Sequence, residues 1–87
     1  MWPPPAHHLS IRASGADALF VSALQRSDNP SASQIRQAIA AAIGASGYSG
    51  CAGRVAQEFG DHPETAATRM RWARALADEA ISHPAAA

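Results

Sequence analysis

The sequence predicts an all-α fold: one compact four-helix domain, with helices over about 16–27, 32–46, 49–59 and 63–81, behind a disordered N-terminal tail. Three observations predict it. Apolar residues recur at three- and four-residue intervals in four separate stretches, and no stretch sustains the alternation of a half-buried strand. Punctuating runs separate those stretches: Asp28-Asn29-Pro30, Gly47-Tyr48-Ser49-Gly50 and Gly60-Asp61-His62-Pro63. Finally, 87 residues leave room for a single domain, and a chain so short buries too small a fraction of its surface for a large stability margin.

Residues 1–14 read as a flexible Pro- and His-rich tail, because Pro3-Pro4-Pro5 favours extended backbone and no apolar period follows. Trp2 is expected to be mobile within it, with docking on a groove or a partner as the alternative. Residues 15–82 form the helical domain, and 83–87, containing His83 and Pro84, read as a frayed end.

The first helix places Leu19, Phe20, Ala23 and Leu24 at helical spacings, with Asp17 early and Arg26 late, as the helix dipole favours. Val21 widens its apolar arc to about 200°, more than one contact face requires. Such a helix is either wedged between two others or exposes a strip to a partner. A short buried strand over 18–23 is the competing local reading.

The second helix starts at a capping box, Ser31 with Gln34 three residues on. Ile35, Ile39 and Ile43 face inward with Ala38, Ala42 and Ser46, leaving Arg36, Gln37 and Ala40 outside, and Gly44 and Gly47 mark its end. The third helix is expected to bury Cys51, Val55 and Phe59 together with Ala52 and Ala56.

At the next corner Gly60 is expected to take the left-handed conformation that closes a helix, while Pro63 bars His62 from helical geometry and suits a first helical position. Asp61 and Glu64 stand at capping-box spacing. The fourth helix carries an apolar arc from Trp72 through Leu76, Ala80, Ala73, Ala66 and Ala77 to Met70 and Ile81. Arg69 falls inside that arc. Its stem covers Trp72 while its head reaches water, or it pairs with an acid such as Glu58, or it meets a partner.

Composition and spacing narrow the function. Seven basic residues, all Arg, balance seven acidic ones, so no overall field attracts nucleic acid and any such binding needs a local patch. Cys51 is alone, which rules out an intrachain disulfide and fits a reducing, cytoplasmic setting. The start lacks the charged and apolar regions of a secretory signal, and no run approaches a membrane span of about 20 apolar residues. Cys51, His62, His7 and His8 do not form a zinc ligand set. Neither the Asp61-His62 pair nor Gly44, Gly47, Gly50 and Gly53, which no strand precedes, form a catalytic or phosphate-binding motif. The expectation is therefore no catalytic residue, no cofactor, no metal and no small-molecule substrate.

Ala56, Gly60 and Ala66, with Val55 and Phe59 at apolar positions, resemble the helix-turn-helix of DNA-binding proteins over about 52–71, with its turn at 60–63. That resemblance implies Arg69, Arg71 and Arg74 as phosphate contacts. The string GCAGRVAQEFGDHPETAATRMRWAR, with LFVSALQ and DNPSASQIRQA before it, resembles a group of short uncharacterised proteins of high-GC actinobacteria over about 19–77. This second resemblance implies a helical cytoplasmic protein and transfers no functional residue. The function expected from the whole chain is a non-enzymatic helical module that binds another protein or itself, without a membrane. Its candidate partner-binding residues are Leu19, Phe20, Val21, Leu24, Arg69 and Trp72. A small DNA-binding regulator is the alternative.

Overall fold

A computed structural model describes the backbone of residues 6–82 and the side chains of residues 14–80. Every regular element in it is helical: α1 (Ala6–Val21), a short 3-10 turn (Arg26–Asp28), α2 (Ala32–Asp61) and α3 (Pro63–Ser82). The helices number three, not the expected four, because the stretches 32–46 and 49–59 belong to one element. Gly47 alone departs from helical geometry there, at φ 74° and ψ 168°. One residue that only glycine tolerates in this conformation bends the rod, and Tyr48-Ser49-Gly50 resume the helix instead of forming a connector. Across the bend the Cys51 thiol approaches the Ala42 carbonyl, Sγ to O 3.7 Å.

α1 is shifted toward the N-terminus relative to expectation. It begins at Ala6, inside the stretch read as tail, once the Pro3-Pro4-Pro5 run ends; residues 1–5, with Trp2, and 83–87 lie outside the described residues. It stops at Val21, short of 27, and it is helical where the strand alternative stood. Ser22 is the cause. Its hydroxyl donates to the Leu19 carbonyl at 2.7 Å and accepts from the Leu24 N–H at 3.2 Å, so a side chain replaces the next rungs of the helical ladder. The Asp28 carboxylate then accepts from the Gln25 N–H at 2.8 Å, and Asn29 turns the chain in the left-handed region at φ 48°.

The start of α2 follows its sequence signal. Gln34 N–H donates to Ser31 Oγ at 3.2 Å and Ser31 N–H to Gln34 Oε1 at 2.8 Å, a complete capping box. Its end corrects one expectation. Gly60 is not left-handed, and α2 runs through it to Asp61. The chain leaves the helix at His62, at φ −140° and ψ 67°, as Pro63 requires of its predecessor, and Pro63 opens α3. His62 thus closes one helix and starts the next: its N–H donates to the Glu58 carbonyl at 2.7 Å and its carbonyl accepts from Ala66 N–H at 2.8 Å.

α1 is wedged between the other two helices. A Cβ placed on Gly15 would lie 3.7 Å from both Ala77 of α3 and Ile39 of α2. The core joins Ala16, Leu19, Phe20, Ile35 and Met70 to the alanine face of α3, Ala66, Ala73, Ala77 and Ala80. Side chains this small let helix backbones approach closely, and the shortest dimension of the molecule is 22 Å, about two helix diameters. Ile81's side chain, expected on this face, lies outside those described. Cys51 is buried as expected and Val55 is half-buried, but Ala52 and Ala56 are exposed, and Phe59 is 38% exposed. Phe59 lies against the edge of the core, stacked on Phe20 with ring centroids 6.3 Å apart, because Phe20 already fills the interior position.

Candidate functional site

The last turn of any α-helix leaves carbonyls without an intrahelical donor. In α1 that end is turned toward α3, and Arg69 meets it. Its Nε donates to the Phe20 carbonyl at 2.6 Å, and its Nη2 lies within hydrogen-bond distance of the carbonyls of Leu19 (3.2 Å), Ser22 (3.1 Å) and Leu24 (3.0 Å). A fixed positive charge therefore sits at the negative end of the α1 dipole, with charge-assisted bonds to the carbonyls released where the helix stops. The guanidinium also covers the ring of Trp72, 4.7 Å from its centroid, and approaches Phe20 at 5.8 Å. Burial lowers the Arg69 pKa from its ordinary value.

Arg69 thus pairs with backbone carbonyls and not with Glu58, and it is half-buried. It fastens the segment Val21–Leu24 to α3, and that segment forms a ridge with a cleft on each side. One cleft, about 520 Å³, is lined by Leu24, Arg26, Thr68, Arg69 and Trp72. A second, about 410 Å³, runs between the ridge and α2, with Val21 and Leu24 facing Ala38, Ala41 and Ala45 and Arg54 at its margin. A smaller one of about 210 Å³ opens between Val21, Arg54, Glu58 and Thr65.

The candidate residues divide. Leu19 and Phe20 were expected at a partner surface; they are core, 0% and 6% exposed, because α1 is wedged and both its flanks are covered. Val21, Leu24 and Trp72 are half-buried and line the clefts. Arg69 is occupied by backbone carbonyls and only half-buried at the cleft wall, so it is not the free surface charge expected at a partner or a phosphate. Arg71 is exposed, its Nη2 3.3 Å from Thr68 Oγ1, and Arg74 is exposed near Asp17 of α1. The three arginines therefore do not form one patch. Sequence reasoning missed Ser22, Arg26 and the Ala38–Ala45 wall of the second cleft. It also missed Tyr48, which the Gly47 bend leaves 63% exposed.

Other polar groups offer little chemistry. Burial pushes the Cys51 thiol up, and the nearby Asp17 charge adds to that, so the reactive thiolate is suppressed. Asp17 is itself raised by burial, partly offset by Arg74. Among the described residues no three His, Cys, Asp or Glu side chains gather as metal ligands would, and no helix is long and apolar enough to cross a membrane. No protein-family model, curated protein or solved structure matches this chain.

Proposed function

We propose that this chain is a non-enzymatic helical interaction module of the cytoplasm that binds another protein, or a second copy of itself, through the corner after α1. The observation that carries this is the ridge Val21–Leu24, which presents half-buried Val21 and Leu24 between two clefts while Arg69 holds its backbone in place. A surface fixed before binding loses little freedom on association. Trp72, beside the ridge, supplies the kind of large, partly exposed ring that concentrates binding energy. An alanine-rich core of this size also gains stability from a bound partner. The DNA-binding alternative rests on fewer residues than its sequence pattern promised, since only Arg71 and Arg74 of its three arginines are exposed.

Light scattering on size-separated protein over a range of concentrations tests the homomeric form. A mass that rises with concentration, and that Leu24→Asp returns to monomer without loss of helicity, is the expected result. A monomer at every concentration removes self-association and leaves a different protein as the partner. Titration of duplex DNA at low salt tests the alternative: no binding there ends it, and steeply salt-dependent binding restores it.

A further inference from the structure

We infer that the cleft beside Trp72 takes a short acidic peptide segment, one bulky apolar side chain lying against Leu24 and Trp72 and flanking carboxylates on Arg26 and Arg71. This rests on the interaction module proposed above and names the chemistry of its partner.

The charges around the cleft favour an anion. Arg26 lines it, is exposed and makes no ion pair among the described residues. Arg71 lies outside the lining but beside it, its Nη2 3.3 Å from the hydroxyl of Thr68, a lining residue. Arg69 forms the back wall, and its positive charge is only partly offset by the carbonyl dipoles it binds. The acid nearest in sequence, Asp28, bonds the Gln25 N–H at 2.8 Å and keeps its charge, but Arg26 and Arg69 in the lining and Arg71 beside Thr68 outnumber it. The floor is different in kind: Leu24 and the Trp72 ring offer an apolar surface inside about 520 Å³, room for one large side chain with backbone on either side. The carbonyls of Ser22 and Leu24 already accept from Arg69, so the peptide is held by side chains and not as an added strand.

A nucleic acid fits the same surroundings less well. The chain has no net charge, and a polyanion extending past the cleft meets Asp28 in the adjoining turn, Glu64 one helical turn before Thr68, and Glu58 in the neighbouring cleft.

The test uses the full chain carrying Trp2→Phe, so that Trp72 is the single tryptophan. Its emission is followed during titration with a synthetic peptide of Asp and Glu around a central Leu-Phe pair, with the same peptide carrying Asn and Gln instead, and with a single-stranded oligonucleotide. The acidic peptide is expected to shift the emission and saturate, with the amide peptide about tenfold weaker. Arg26→Glu and Arg71→Glu each weaken binding about tenfold, and raising salt from about 0.05 M to about 0.5 M weakens it several-fold. Ala23→Glu, at an exposed position on the cleft wall, removes binding without changing helicity. Equal affinity for the two peptides, indifference to salt, or preference for the oligonucleotide overturns the acidic-peptide assignment. No peptide binding by a chain that still self-associates through Leu24 overturns the assignment and leaves the module standing. Absence of both peptide binding and self-association overturns the assignment and the homomeric form together, leaving the module only a partner of different chemistry.

Discussion

The two corners of the molecule are built in opposite ways. Between α2 and α3 the chain turns at a single residue, His62, and the bonds that hold the turn reach no further than four residues along the sequence. Between α1 and α2 it takes a longer route, and the end of α1 is held by Arg69, 45 to 50 residues away in sequence. The first corner is an outcome of local backbone chemistry. The second is begun locally by Ser22, but its freed carbonyls are met only when the tertiary fold brings Arg69 to them, and it is the one that carries the clefts. A corner assembled by a distant side chain is placed accurately relative to that side chain's neighbours, here Trp72 and Thr68.

The sharpest way to break this comparison is to remove the distant fastener. Arg69→Met is expected to destabilise the fold by about 2–4 kcal/mol, measured by chemical denaturation, because buried carbonyls lose a charged donor. Arg69→Lys restores less than half, since an ammonium cannot reproduce the guanidinium fork. If Arg69→Met costs no more than an exposed-site change, the local Ser22 bonds alone hold the end of α1 and the corners are alike. Next in size is the bend inside α2: Gly47→Ala is expected to cost about 1–3 kcal/mol in the same experiment, as an L side chain is strained at φ 74°.

Gly60→Ala sharpens the local corner. A left-handed Gly60 would make this change destabilising, whereas the helical Gly60 with open space beside it makes it stabilising, by about 0.5–1 kcal/mol. The smallest effect concerns Asp17, whose carboxyl burial holds above its ordinary value of 3.8 against the opposing pull of Arg74. The native state therefore favours the neutral acid more than the unfolded chain does. That contribution is complete below the unfolded value and lost as pH rises through the native one. Asp17→Asn should raise the melting temperature at pH 7 relative to the parent, and the gain should vanish near pH 3; a gain independent of pH would show that charge is not the cause.

What could be read from the sequence follows the same division. The Ser31 capping box, the non-helical His62 and the position of Pro63 were all predictable, since each depends on residues within a turn of one another. The alanine face of α3 was readable from period alone. Gly60 was misplaced because glycine permits a left-handed turn without requiring one, and Pro63 had already supplied the stop. Phe59 was misplaced because periodicity marks a face but not how far its neighbours extend to cover it. Arg69 stood out as a charge within an apolar arc, but its partners are backbone carbonyls, and carbonyls carry no residue identity from which a pairing can be inferred. The clefts were unreadable for a different reason: their shape follows from where Ser22 ends α1, and a serine on a helix face permits such a stop without requiring it.

The alanine face of α3 has a consequence for tolerance to change. A methyl group has no rotamers to give up when it is packed, so this interface forms with almost no loss of side-chain freedom. By the same token it has nothing to rearrange. Where a leucine interior can absorb an added carbon by swinging a neighbour aside, Ala73 and Ala77 can answer only by moving whole helices apart, so substitution is tightly confined along this seam.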